Sequence, residues 1–131
     1  MEPFLRNNNV VLTERITDKG CYKRFDVIIF KNNGFLSDKY IKRIIGLPGE
    51  TIQIENNHIY INGKVLRENY GVGVTDSSEM EEKSITLGSK EYFVLGDNRE
   101  NSLDSRFNKI SFIQEKKIIG RVWCKIWPIM S

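Results

Sequence analysis

A dense polar block occupies residues 96–106 and directly follows the apolar run Tyr92–Leu95. It reads Gly-Asp-Asn-Arg-Glu-Asn-Ser-Leu-Asp-Ser-Arg. One interpretation is an ordinary surface turn, because Asp, Asn, Gly and Ser form local hydrogen bonds in loops. The other is a network of carboxylates and guanidinium groups that braces a reactive site, since charges that are buried need partners.

Lys42 is the residue that such a network would serve. It lies in the apolar run Tyr40–Leu47, which we predict to be a strand. Neighbouring residues of a strand point to opposite faces, so Lys42 and Arg43 each lie among apolar residues. Burial lowers the pKa of a lysine, and a neutral amine can take a proton from a hydroxyl, as in Ser–Lys catalysis. The alternative is a lysine whose head group reaches solvent.

Length and composition indicate one globular domain over residues 1–131. Hydrophobic residues make up 40% and charged residues 28%, and the net charge of +3 is only mildly basic. That charge is compatible with an anionic membrane surface or with nucleic acid, and requires neither. Cys21 and Cys124 form no metal-ligand spacing and are too few for a disulfide framework. No apolar run is long enough to cross a bilayer and no signal peptide opens the chain, so we expect a soluble piece.

Strand signals are plentiful and helical periodicity is scarce, which predicts a mostly antiparallel, barrel-like β-sheet. A hairpin is predicted at Asn62-Gly63, a polar excursion from the sheet at 67–83, and a turn of helix within Ile110–Lys117. The predicted strands are Phe25–Phe30, Tyr40–Leu47, Thr51–Glu55, His58–Ile61, Lys64–Leu66, Ser84–Leu87, Glu91–Leu95 and Ile118–Ile126.

The segments Tyr40–Glu50 and Gly96–Arg106 resemble type I signal peptidase. These membrane-anchored enzymes use a Ser–Lys dyad to remove signal peptides from exported proteins. Arg24–Phe30 resembles the family's Arg-Gly-Asp strand, with Phe25 in place of the usual glycine. Gly120–Trp123, followed by Trp127-Pro128, resembles its closing strand. The resemblance covers essentially the whole chain.

The resemblance assigns roles to individual residues. Lys42 matches the general base and Ser102 the serine that orients it. The residues that match the charged groups bracing the site are Asp97, Arg99, Asp104 and Arg106. Arg43 is a further site-bracing candidate, as the partner of one of the aspartates, and the sequence leaves open which one. The residues that match the pocket for the small side chain before the cut are Met1, Leu5, Tyr40 and Ile41, although plain core packing is an equal interpretation for Tyr40 and Ile41. The resemblance implies neither a metal nor a cofactor.

The start of the chain departs from the family pattern. The family's nucleophile lies in a Ser-Met-x-Pro-Thr motif, and this chain opens with Met1-Glu2-Pro3-Phe4. The serine would therefore precede Met1, and Phe4 stands where the family has threonine. Two interpretations stay open: a chain truncated at this methionine, or a catalytically inactive relative that binds exported chains. In either case the nucleophilic serine lies outside these 131 residues.

The expected partners are the signal peptides of exported preproteins and a membrane surface, with the catalytic domain on the extracytoplasmic side of the cell membrane. Trp123 and Trp127 suit either contact with the bilayer or core packing. A more remote alternative is a small β-barrel that binds single-stranded nucleic acid through basic and aromatic side chains. That hypothesis leaves both long motifs unexplained, so no nucleic acid is expected.

Overall fold

The computed structural model describes residues 10–14, 22–31, 39–77, 80, 83–107 and 110–127, with backbone alone for 10–14 and 123–127. Strands dominate these residues. In chain order they are β1 (Val10–Glu14), β2 (Val27–Lys31), β3 (Lys39–Gly46), β4 (Thr51–Glu55), β5 (His58–Ile61), β6 (Lys64–Val65), β7 (Ser84–Thr86), β8 (Glu91–Leu95), β9 (Ile113–Gln114) and β10 (Ile118–Trp127). Two single-turn 3-10 helices span Arg99–Asn101 and Glu115–Lys117.

The strands form two antiparallel sheets. The larger has the order β1-β10-β2-β3-β8-β9, and the smaller has the order β6-β5-β4-β7. The predicted mostly antiparallel β fold is confirmed, and it takes the form of two open sheets, because neither sheet closes into a barrel within the described strands. No helix among the described residues is long and apolar enough to span a membrane.

Strands β3 and β8 are neighbouring interior strands of the larger sheet and are covered on both faces. Ile44 and Val94 belong to one buried cluster, whereas their neighbours Ile45 and Leu95 belong to another, on the opposite face. Burial on both faces explains why these strands read as continuous apolar runs and not as alternating ones. Each of these side chains contributes roughly 1.5–3 kcal/mol through burial, which makes the pair a rigid support.

Differences from the predicted elements have local causes. The strand expected from Phe25 begins at Val27, because Phe25 has a φ of 74°, outside the strand region. The helical turn predicted within Ile110–Lys117 exists only as the second 3-10 helix. Ile113, ahead of it, instead pairs with Tyr92 of β8 and is buried. Strand β1 was not predicted, and it pairs with β10 at the edge of the sheet.

Candidate active site

Lys42 and Ser102 meet where the polar block turns back beside β3. Lys42 lies on β3, and β3 pairs with β8, whose last residue leads into the block. The first 3-10 helix then turns the chain back, with Ser102 immediately after it. The Nζ atom of Lys42 donates a hydrogen bond of 2.9 Å to Oγ of Ser102. The two motifs therefore converge on one contact, and that contact orients the amine.

Gly96 leaves the space that this contact needs. A Cβ atom at this position would overlap the Ser102 side chain and would lie 3.3 Å from Nζ of Lys42. The amide of Gly96 donates to Oδ2 of Asp104 at 3.0 Å, and this hydrogen bond fixes the position of the backbone at Gly96. The first residue of the block is thus glycine because the Lys42 and Ser102 side chains pack directly on its Cα.

The environment of Lys42 lowers its pKa. The main cause is burial, which penalises the charged ammonium, and the nearby Arg106 guanidinium acts in the same direction. Asp104 and Asp97 oppose these effects without overcoming them. A lowered pKa increases the fraction of neutral amine near neutral pH, and only the neutral form can accept a proton.

Arg43 is joined to Asp97 by a buried bidentate pair. Its Nε and NH2 groups donate to the two carboxylate oxygens at 3.0 and 2.8 Å, and NH1 donates to the carbonyl of Phe25 at 3.0 Å. The guanidinium carbon lies 3.7 Å from the ring centroid of Tyr70. Because Arg43 follows Lys42 on β3, this pair fastens the block to the strand from the opposite face.

Asp104 and Arg106 form a second buried pair within the block itself. Arg106 donates through Nε to Oδ1 at 2.8 Å and through NH2 to Oδ2 at 3.0 Å. The same guanidinium donates to the backbone carbonyls of Arg99 at 2.6 Å and of Thr75 at 3.1 Å. The pair therefore ties the turn of the block to a segment that precedes β7.

Arg99 is fully buried and has three partners. Its Nε donates to the carbonyl of Gly96 at 2.8 Å, NH1 to Oγ1 of Thr75 at 3.1 Å, and NH2 to Oε1 of Glu68 at 2.6 Å. Sequence reasoning missed Glu68 and Thr75. The one sequence signal for a close contact in this segment was Gly71 of the polar excursion. Its Cα lies against the Arg99 guanidinium and leaves no room for a side chain.

A further ion pair, also not predicted, closes the turn after β3. Arg24 donates to both carboxylate oxygens of Glu50 at 2.8 and 2.7 Å and to the carbonyl of Ile45 at 2.8 Å. Burial alone would raise the pKa of Glu50, but the hydrogen bonds from Arg24 and from the Leu47 amide outweigh it and lower that pKa. The Arg24 and Glu50 motif positions thus fix the end of the strand that carries Lys42.

The predicted substrate pocket is described only in part. Tyr40 stacks on Phe30 with ring centroids 5.8 Å apart, and Ile41 packs beside Val27 and Val122. Both side chains remain partly exposed, so their pocket role stays a prediction. Met1 and Leu5 lie outside the described residues, as do the side chains of Trp123 and Trp127. Within the described part of the chain, no three His, Cys, Asp or Glu residues gather as a metal site would require.

Comparisons with known proteins identify the family of the chain. The family model described as signal peptidase, peptidase S26, matches residues 1–127. A probable signal peptidase I-2 of Synechocystis is 34% identical over 98% of this chain and 60% of its own length. A signal peptidase I of Leptolyngbya laminosa is 36% identical over 98% of this chain and 65% of its own length. The chain therefore spans somewhat under two thirds of the length of these relatives.

A solved structure has the same fold. The crystal structure of a signal peptidase I from Enterococcus faecalis V583 superposes with a TM-score of 0.65 and 31% identity, covering 81% of this chain and 100% of that one. Because the family model matches nearly the whole chain and the solved structure shares its fold, the chain belongs to the signal peptidase family, peptidase S26.

Proposed function

We propose that this chain is the catalytic β-domain of a serine endopeptidase that removes N-terminal signal peptides from exported proteins. The observation that carries the proposal is the 2.9 Å contact between Lys42 and Ser102 in a setting that lowers the lysine pKa. An oriented, partly desolvated amine is the group that a Ser–Lys mechanism requires as its general base.

The chemistry follows from the neutral amine. Nζ of Lys42 takes the proton of the attacking serine hydroxyl while its oxygen bonds to the scissile carbonyl carbon. The ammonium then gives that proton to the departing amine as the peptide bond breaks, leaving an acyl-enzyme. Lys42 next takes a proton from the water that attacks the ester, and the ammonium then gives that proton to the serine oxygen as the ester bond breaks, which regenerates both groups and releases the signal peptide. The resemblance assigns the attacking serine to the position before Met1, and the proposal takes it from there.

Ser102 and the paired aspartates serve Lys42 in this scheme without touching the peptide bond. Ser102 fixes the direction of the amine, while Asp97 and Asp104 are held by Arg43 and Arg106. A carboxylate engaged by a guanidinium is kept from forming a direct ion pair with the lysine. The braced carboxylates thus balance the buried arginines and leave Lys42 free to lose its proton.

The edge of β3 offers a place for the substrate backbone. Strand β3 pairs with β8 only from Arg43 to Gly46, so among the described strands residues 39–42 have no partner on that side. An extended peptide can add to such an edge through main-chain hydrogen bonds, with alternate side chains entering pockets. Tyr40, Ile41, Met1 and Leu5 would line the pocket that admits a small residue before the cut.

Contact with a membrane surface belongs to the same proposal. Val72, Val74 and Leu103 are exposed by 54%, 51% and 36%, and the Arg106 guanidinium joins the carbonyls of Val74 and Ser102. These apolar side chains therefore lie on two segments held together beside the site. They support a catalytic domain that works against the extracytoplasmic surface of the cell membrane.

The test supplies the nucleophile that the resemblance places before Met1. A chain with serine placed before Met1, behind an upstream membrane anchor, is assayed on a preprotein with a signal peptide. We expect cleavage, and we expect Lys42→Ala to lower the rate by about 10²–10⁴-fold, as loss of a general base does. Lys64→Ala, at an exposed position of β6, is the matched control and should retain the rate. Binding of the preprotein without cleavage would instead identify a non-catalytic relative and overturn the proposal.

A further inference from the structure

The segment 68–75 lies directly against the polar block. The amide of Val72 donates to the carbonyl of Asp97 at 2.8 Å, and the amide of Arg99 donates to the carbonyl of Val72 at 2.8 Å. Val72 thereby forms a parallel bridge with Asn98. Two glycines allow this close approach, because Gly71 contacts the Arg99 guanidinium and Gly73 contacts Glu100. This part of the polar excursion is therefore packed on the candidate active site.

Arg99 is the buried cation at the centre of this contact. The Arg99 side chain has 0% exposure. Of the three groups to which it donates hydrogen bonds, Glu68 supplies the only carboxylate. A buried guanidinium needs an opposite charge and filled hydrogen bonds, because its desolvation is otherwise uncompensated. Glu68 thus fixes where the Arg99 head group can lie.

Arg99 in turn holds the peptide on which the Lys42 contact rests. Its Nε donates to the carbonyl of Gly96, and the Cα of Gly96 packs against the side chains of Ser102 and Lys42. A displacement of Arg99 would remove its hydrogen bond to the Gly96 carbonyl and so loosen the backbone on which the Ser102 and Lys42 side chains pack. Glu68 is therefore connected to Lys42 through two intermediate residues, Arg99 and Gly96.

We propose that Glu68 is a positioning residue for Lys42, which it serves by holding Arg99 on the carbonyl of Gly96. The inference rests on the proposed function only for its effect on catalysis, since the contacts themselves involve no substrate. Loss of Glu68 is expected to let Arg99 shift, to loosen the packing at Gly96 and to admit water around the amine, and weaker desolvation raises the pKa of Lys42.

The experiment follows the NMR resonances next to the Lys42 amine through a pH titration of the 131-residue chain. We expect Glu68→Ala to move the Lys42 midpoint to higher pH, and Glu68→Gln, which keeps an acceptor for Arg99, to move it less. Glu55→Ala, an exposed position on β4, should leave the midpoint unchanged. Ile59→Val removes a buried methylene from the smaller sheet and so lowers overall stability, and it should also leave the Lys42 midpoint unchanged. This control separates loss of positioning from general destabilisation.

In the anchored enzyme with its serine, Glu68→Ala should lower kcat by about tenfold or more with little change in KM, because orientation and not binding is lost. Equal Lys42 midpoints in the original chain and in Glu68→Ala would overturn the inference, even if the enzyme cleaves. If Glu68→Ala does not fold, an unmoved midpoint in Glu68→Gln overturns it. A moved midpoint without cleavage in any form would instead refute the proposed function and leave the positioning role standing.

Discussion

Nζ of Lys42 lies 2.9 Å from Oγ of Ser102, although 60 residues separate the two in the sequence. The next residue of β3, Arg43, is bound to Asp97 on the opposite face of the strand. Successive residues of one strand therefore hold two points of the polar block. The direction of the Lys42 amine is therefore set by the anchoring of the polar block to β3, and the Lys42 side chain is not free to choose it.

Replacing Ser102 by alanine tests the orientation of the amine. Ser102→Ala removes the hydrogen bond to Nζ, so Lys42 can rotate away from the attacking hydroxyl. We expect the cleavage rate of the anchored enzyme to fall about 10²-fold while the free energy of unfolding changes by only about 1 kcal/mol. Ser84→Ala, at an exposed position of β7, is the control. A Ser102→Ala enzyme that cleaves at nearly the original rate would show that the contact is dispensable.

Replacing Gly96 by alanine tests the packing beneath that contact. The added Cβ would overlap Ser102, and overpacking of this kind costs about 1–3 kcal/mol. Gly88→Ala is the matched control, since the three atoms nearest to its added Cβ all belong to the Glu91 carboxylate, the end of a flexible side chain. Urea unfolding of the two variants measures the difference. Equal stability of the two would contradict the packing that we describe.

Phe25 provides a test of backbone strain. Its φ of 74° lies in the left-handed region, where an L residue with a Cβ is strained by roughly 1–2 kcal/mol. Both Phe25→Ala and Phe25→Gly lose the ring contact with Tyr70, but only glycine relieves the strain. We expect the Gly variant to be the more stable by about 1 kcal/mol in thermal unfolding.

The order should reverse at an ordinary strand position. At Gln53 of β4, which does not have a positive φ, alanine should be more stable than glycine by about 0.5–1 kcal/mol. The same order at both positions would show that Phe25 does not carry the strain. Opposite orders at the two positions would instead explain the family's glycine at this position by backbone conformation and not by lack of space.

The lowered pKa of Lys42 predicts how stability depends on pH. Between the folded pKa and the higher unfolded one, the unfolded state binds more protons, so the free energy of unfolding rises with pH. Lys42→Met lacks this group and keeps all the others. The stability of the original chain relative to this variant should therefore increase as pH rises through that window and be constant below the folded pKa. A difference that is independent of pH up to about pH 10 would contradict the prediction.

The sequence predicted most about residues whose chemistry restricts their possible partners. The pairing of Lys42 with the block followed from two specific motifs, and the roles assigned to Lys42 and Ser102 remain predictions. That the aspartates of the block need guanidinium partners followed from the cost of burying charge. Which guanidinium serves which carboxylate, as for Arg43 with Asp97, did not follow, because it depends on the register of β3 against β8.

The contacts of the polar excursion could not be predicted from the sequence. Glu68 and Thr75 lie in a segment with no hydrophobic periodicity, so nothing in its pattern gave their direction. Their partner Arg99 was expected to brace the site, but its own partners could not be named. Such contacts depend on how a loop folds over the sheet, which local propensity does not determine.

The proposed mechanism requires Lys42 to be neutral enough to act as a base, and a titration of its amine tests this requirement. The midpoint of Lys42 in the folded 131-residue chain is compared with that of the same resonance in the denatured chain. We expect a folded midpoint clearly below the denatured one, because burial and Arg106 both disfavour the ammonium. A folded midpoint equal to or above the denatured one would contradict it.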